Sequence, residues 1–257
     1  MDPVMELQMV SLFLVFIRTA SFFTVVPFFT LRGVPALMKV GLAGLTAYLI
    51  YPTVEIEYVA LVSEGLLNHV LLISGEVMVG LVLGYVVLLV FLGIRIAGQM
   101  VDLQMGLLMA SVFDPQFGSP VTLMGQFYYL LGTVFFFVIN GHHSLLAALA
   151  GSFRILPPGL YMPEGATVWT LMELFYWIFI LAFQIALPVI AVLLMVDVSL
   201  GLVAKTVPQL QVFMVGLPLK LGVGMLTLTL VLPLMAAIFE NIFQGMVNEM
   251  FRIMGTF

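Results

Sequence analysis

The chain has 257 residues, 63% of them hydrophobic and only 8% charged, with eight Lys+Arg against thirteen Asp+Glu and a formal net charge of −5. Soluble domains carry roughly 25% charged residues and roughly 45–50% apolar ones, so an ordinary soluble enzyme and a disordered chain are excluded. A nucleic-acid binder is excluded too, because it needs a basic face. Cysteine is absent, which removes disulfides, thiol nucleophiles and Cys-ligated metals. The apolar runs are long and unbroken rather than short and alternating, which favours helices over a membrane β-barrel. The fold class read from this is all-α: a polytopic integral membrane protein.

In chain order, the first nine residues carry Asp2 and Glu6 and no basic residue. The first apolar run is therefore expected to stay in the mature protein rather than act as a signal peptide. Hydropathy predicts six segments, at 7–30, 40–54, 65–94, 126–150, 174–196 and 215–239, near bilayer length except that 40–54 is short for a span. Arg32 and Lys39 flank the first connection and Arg95 follows the third segment, while Lys205 and Lys220 lie between the fifth and sixth. Basic residues mark the cytoplasmic side, so connections one, three and five are expected there and both termini outside. Pro27, Pro188, Pro218 and Pro233 lie in apolar runs. A proline frees a backbone carbonyl that, in lipid, must find a protein partner, so these segments are expected to pack against other subunits. Gly80 and Gly84 form a G-x-x-x-G, and Gly41 and Gly44 lie one turn apart; small residues let helices approach closely.

Few residues offer chemistry. His142 and His143 follow Asn140-Gly141, but neighbouring helical positions diverge by about 100°, so a structural or interfacial pair is expected rather than a metal site. Asp114-Pro115, with Gly118 and Pro120, reads as a loop, either a plain turn or a pore element. Glu76, Gln99, Asp102 and Gln104 lie near membrane segments, where ionisable groups are functional by default. Asp102 with Arg95 reads instead as a structural pair at a span end. No nucleophile, base or paired carboxylate converges, so no enzyme, cofactor or metal is expected. The eighteen methionines read mostly as packing. Met100, Met105, Met109 and Met124, which bracket the loop near Asp114, can seal a pore.

Three groups of residues carry a resemblance. The first is Phe113-Asp114-Pro115 with Gly118, Pro120, Val121 and Gly125-Gln126-Phe127. The second is Asn140-Gly141-His142-His143 with Leu145-Leu146, Ser152-Phe153 and Leu156-Pro157. The third is Gly201-Leu202 with Lys205, Pro208-Gln209-Leu210, Val212-Phe213, Gly216 and Pro218-Leu219-Lys220. Together they resemble the R-subunit family of the flagellar export gate, the FliR family, which is related to the T subunit of injectisomes. The stretch with Arg18, Arg32-Gly33-Val34-Pro35, Val40-Gly41-Leu42-Ala43 and Tyr51-Pro52 looks like the gate's P subunit. The C-terminal stretch looks like its Q subunit, with a less charged turn.

The resemblance implies a fusion of a P-like region, 1–165, and a Q-like hairpin, 166–257, built of long, kinked helical hairpins. It implies a non-enzymatic subunit of the flagellar type III export gate in the bacterial cytoplasmic membrane, at the basal body. P-type and Q-type subunits, the export switch protein (B subunit) and the large export subunit (A subunit) would be its partners, and unfolded flagellar proteins its substrates. It implies a channel plug at 106–122, with Gly106, Met109, Val112, Phe113, Asp114, Pro115, Phe117 and Gly118. It also implies a partner-contact turn with Lys205, Pro208, Gln209, Gln211, Phe213 and Lys220. Much of the gate would stand above the plane expected from hydropathy, as bent helical hairpins. The rival readings are a secondary transporter of small solutes, an injectisome gate subunit and a polytopic membrane enzyme. Internal repeats with mid-span polar groups would mark the transporter.

Overall fold

A computed structural model describes residues 3–29, 35–54, 66–107, 122–159, 163–207 and 211–257. Among these residues there is no strand. The helices are α1 (Pro3–Val25), α2 (Ala36–Ile50), α3 (Leu66–Met105), α4 (Leu123–Val138), α5 (Gly141–Ile155), α6 (Gly165–Thr206) and α7 (Val212–Met254), with single 3-10 turns at Pro27–Phe29 and Tyr51–Thr53.

The breaks fall where backbone chemistry dictates. Pro27 ends α1, because a proline disfavours helical geometry in the residue before it. Pro35 takes the N-cap position of α2, and Pro52 sits in the turn that closes it. α3 ends at Gly106, whose φ is +77°, with the Leu107 amide donating to the Asp102 carbonyl and the Gly106 amide to that of Leu103. That pair of bonds is a Schellman cap, which favours glycine at the left-handed position. Between α4 and α5 the chain passes through Asn140 at φ +58°, a conformation asparagine tolerates better than most residues. The run read as one span at 126–150 is therefore two helices of 16 and 15 residues.

Helix length revises the six-segment reading. Among the described residues, four helices have the length and hydropathy to cross a membrane, and α4 with α5 makes a fifth if the pair acts as one broken span. The segment at 40–54 corresponds to α2, whose 15 residues rise only about 22 Å against a hydrocarbon core of about 30 Å. α3, with 40 residues, α6, with 42, and α7, with 43, err the other way. Each is about 60 Å or longer, and no tilt in the usual 0–40° range brings that length within the hydrocarbon. These three helices extend well past a single bilayer core, as the long hairpins implied by the resemblance would. The prolines at 188, 218 and 233 lie inside α6 and α7 without interrupting them.

The chain forms two compact units. The first comprises 1–90, 140–175 and 244–257, and the second 91–139 and 176–243. In the first, α1 packs on α2 and α3. A Cβ on Gly80 would run into the Ser21 side chain and the Arg18 backbone, and one on Gly84 would lie 2.9 Å from the Phe22 carbonyl oxygen. The G-x-x-x-G is thus the contact that brings α3 onto α1. Gly41 has no heavy atom within 4 Å of where its Cβ would be, so the Gly41/Gly44 pair makes no comparable approach within the chain. The start of α6 meets the end of α7, where Thr167 Oγ1 donates to the Thr256 carbonyl at 2.6 Å.

In the second unit the core is aromatic. Phe91 of α3 lies against Phe136 of α4 and Phe243 of α7, with ring centroids 5.7 and 5.5 Å apart, and Phe135 meets Phe239 at 5.6 Å. Gly93 faces Ile178 and Leu181 of α6, and Gly132 faces Ile94. Hydroxyls in these apolar helices turn inward to their own backbone: Thr133, Thr227 and Thr229 each donate to the carbonyl four residues earlier at 2.8 Å. The outward faces of α6 and α7 carry Phe179, Phe183, Leu194 and Met195, and Met214, Leu226, Leu230 and Leu234, all exposed. Apolar surface of this extent is covered by lipid or by protein.

The two glycine pairs make opposite predictions. G80L forces α1 from α3 and should cost ~3 kcal/mol or more by overpacking. G41L should change the chain's own stability little. Abundance in membranes and the thermal midpoint in detergent check both.

Candidate functional site

Two buried polar centres stand out in this apolar chain. In the first unit, Arg18 of α1 and Glu76 of α3 are both fully buried. Arg18 donates from Nε to Glu76 Oε2 at 2.6 Å and from Nη2 to Oε1 at 3.1 Å. Its Nη1 donates to the Ser152 carbonyl and hydroxyl oxygens of α5, each at 3.2 Å. The Gly159 amide donates to Glu76 Oε1 at 3.2 Å, and the Phe153 ring lies 4.2 Å from the guanidinium carbon. The planar fork of arginine suits this two-pronged grip on a carboxylate. Glu76, an expected functional acid by position alone, is thus engaged as the anion of a satisfied pair.

The second centre lies at the start of the predicted plug segment. Asp102, in the last turn of α3, is fully buried. Its carboxylate accepts the Met124 amide at 3.0 and 3.1 Å and the Gly125 amide at 3.1 Å. These amides belong to the first turn of α4, whose own cap residue, Thr122, makes no side-chain capping bond. Asp102 therefore caps α4 from across the segment. The expected pairing with Arg95 is not what the structure has. Arg95 is exposed, and no ion pair joins the two among the described residues. Seven residues on a helix separate them by about 10 Å along the axis, and Asp102 turns inward to α4.

α3's end is held at two further points. Gln104 Nε2 donates to Asp197 Oδ2 of α6 at 2.8 Å, and Asp197 also pairs with Lys220 of α7. The position a Cβ on Gly106 would take lies 2.7 Å from Leu217 Cδ2 of α7. A Cβ on Gly98 would collide with the Met124 carbonyl, and the Gly125 Cα would lie 2.7 Å from it. Gly98 and Gly125 let α3 and α4 touch backbone to backbone, which brings the amides within reach of Asp102.

Of the sequence-predicted plug residues, only Gly106 is placed here; Met109, Val112, Phe113, Asp114, Pro115, Phe117 and Gly118 lie outside the described residues. In the predicted turn, Lys205 is exposed in the last turn of α6 and Gln211 is exposed just before α7. Lys220 is drawn back onto Asp197. Phe213 falls within α7, and Pro208 and Gln209 lie outside the described residues. His142 and His143 have their rings in contact at the start of α5, with centroids 4.2 Å apart. No group of three or more His, Asp or Glu able to hold a metal occurs among the described residues.

Sequence reasoning missed the Arg18–Glu76 pair. Its signal was present: each is an isolated charge of opposite sign embedded in an apolar run. It missed the Asp102 cap because a backbone amide leaves no mark in the sequence.

Residues 9–246 match the family of bacterial export proteins, family 1. The chain is 36% identical over 240 residues to the flagellar biosynthetic protein FliR of Bacillus subtilis, covering 92% of each chain. It is 32% identical over 229 residues to the FliR of Pectobacterium carotovorum, covering 89% of this chain and 87% of that one. Against the FliR of Escherichia coli it is 30% identical over 232 residues, 90% of this chain and 88% of that one.

Removing one partner of a buried ion pair strands the other charge and costs ~3–5 kcal/mol, whereas replacing both with apolar groups is often near neutral. E76A and R18A should therefore each lower the thermal midpoint strongly. The double variant R18M/E76L should recover most of the loss. A double-mutant cycle on detergent-solubilised protein measures this.

Proposed function

The chain belongs to the FliR family of bacterial export proteins, and from that membership we propose that it is the R-type, non-enzymatic subunit of the flagellar type III export gate. It acts in the bacterial cytoplasmic membrane at the flagellar basal body. There it forms part of the channel for unfolded flagellar proteins, assembled with P-type and Q-type subunits and adjoining the export switch protein and the large export subunit. Residues 1–165 serve as its P-like region and 166–257 as its Q-like hairpin. Residues 106–122 serve as the channel plug, and the turn from Lys205 to Lys220 meets the switch protein.

The observation that carries this reading is the surface of α6 and α7 within a multi-pass chain of this family. Pro188, Pro218 and Pro233 supply no N–H to the carbonyls of Gln184, Met214 and Thr229. All three of those residues are exposed in the single chain. A free carbonyl in hydrocarbon costs several kcal/mol, so neighbouring subunits, with their own donors, are the fitting cover for these faces. An apolar loop in a membrane channel blocks ions by excluding water. The stretch from Leu107 to Phe117, with Leu108, Met109, Val112 and Phe113, has that composition.

Expressed alone, the chain should aggregate or be degraded; with P-type and Q-type partners it should be recovered in one large complex. A stable monodisperse monomer in detergent counts against the assembly. Deleting residues 113–119 should leave that complex assembled but leaky to small ions, with secretion falling less than the barrier does. Failure to assemble makes the segment structural, and a tight complex places the seal elsewhere. Photo-cross-linkers at Gln209 and Gln211 should capture the switch protein; recovery of the gate without it leaves the turn as a solvated connection.

A further inference from the structure

After Phe91, α3 carries two charges, Asp102, engaged by α4, and Arg95. Arg95 is exposed, and no carboxylate pairs with it among the described residues. It follows the uncharged run from Val77 to Ile94, which rises about 27 Å as helix against a hydrocarbon core of about 30 Å. Arg95 therefore stands where a span of that length meets the headgroups.

The neighbouring helix changes character at the same level. Phe91, one turn before Arg95, meets the Tyr129 ring of α4 with centroids 6.0 Å apart. Arg95 is close enough for its charge to act on the Tyr129 phenol. Tyrosine is enriched where membrane meets water. To one side of this level, the outward faces carry exposed Leu92 of α3 and exposed Leu130, Val134 and Phe137 of α4. To the other side, one turn on, they carry half-buried Gln99 and exposed Gln126. The Cβ position on Gly125 lies 3.1 Å from Gln99 Cγ, which sets the two glutamines at one height. The surface is thus ordered: apolar, then cationic with a phenol, then polar.

We infer that Arg95 and Tyr129 form a binding site for the headgroup phosphate of an anionic phospholipid, whose acyl chains lie over Leu92, Leu130 and Val134. The inference uses the membrane setting of the gate reading and goes beyond it. A guanidinium fork meets a phosphate in two parallel bonds, and the phenol adds an O–H donor. The order of the surface matches a ligand that is anionic at one end and apolar along the rest. An acidic side chain of a neighbouring subunit would have to be desolvated to reach Arg95, whereas a headgroup phosphate already lies at this depth. Basic residues also mark the cytoplasmic side, where the leaflet's surface potential is negative.

The test uses membrane vesicles from cells producing the full chain with its P-type and Q-type partners. They are fused with liposomes of phosphatidylglycerol or of phosphatidylcholine, whose headgroup charge is balanced, each with a diazirine in one acyl chain. Cross-links are mapped by peptide mass spectrometry and counted per copy of the chain, so a change in abundance leaves the comparison intact. Phosphatidylglycerol is expected to mark Leu92, Leu130 and Val134 more than phosphatidylcholine does. R95Q is expected to lower that mark about tenfold, as loss of a charge-assisted bond implies, with R95K between the two. Exposed Leu45 of α2 is expected to be marked equally in all three.

Equal marking by the two lipids, or a mark unchanged in R95Q, overturns the inference. So does a band that neither lipid marks, which makes Arg95 the contact of an acidic group on a neighbouring subunit. Inorganic phosphate is added in parallel with sodium chloride of equal ionic strength. If phosphate alone removes the preference for phosphatidylglycerol, the site takes free phosphate and the lipid assignment falls. If co-purification shows no gate complex, the assembly reading fails by itself, because the cross-links are read on this chain in either case.

Discussion

The first compact unit depends on one interaction, the buried Arg18–Glu76 pair. It joins α1 to α3, and through Ser152 and Gly159 it draws in α5 and the segment after it. In an apolar chain there is little directional bonding to decide how helices register against each other. Dispersion and burial favour contact but tolerate many registers, whereas a five-donor guanidinium meeting a carboxylate tolerates few. The glycines at 80 and 84 serve that pair: their lack of Cβ lets α3 approach the α1 backbone around Arg18. Register and close approach are thus two parts of one device, and neither residue type achieves it alone.

The second unit is organised differently. Its core is a cluster of phenylalanines from α3, α4 and α7, and polar bonds gather at the end of α3. Asp102 bonds α3 to α4 there, Gln104 bonds it to Asp197 of α6, and Lys220 of α7 joins through Asp197. Lys220 illustrates the same economy. As a turn lysine it reads as an orientation signal, yet it folds back onto Asp197 and becomes part of the hairpin's internal wiring.

The proposed P-like and Q-like division and the two compact units cut the chain along different lines. The division runs along the sequence at residue 165, while the units gather segments from both sides of it. α3, α6 and α7 each pass from one unit to the other. A resemblance between stretches of sequence reports ancestry and local pattern. Packing is decided by which faces meet once the chain is folded.

The all-helical membrane class followed from composition and from long apolar runs, because hydrocarbon tolerates only backbones that satisfy themselves. The reasons for the breaks at Pro27, Pro52 and Gly106 lie in φ, ψ and missing donors that a single residue carries with it, yet the predicted segments ran through 27 and 52 and the third stopped at 94, short of Gly106. The family was also legible, since its motifs are spread along most of the chain. Tertiary structure alone decided that 126–150 breaks at Asn140 and that α3, α6 and α7 outrun the bilayer. Hydropathy averages over a window and registers neither a left-handed asparagine nor where a helix stops within a polar flank. It also decided the partners of the buried charges. Arg18 and Glu76 lie 58 residues apart, and Asp102 bonds to amides that every residue but proline possesses. Sequence patterns report local periodicity, whereas these bonds arise from contact between distant segments.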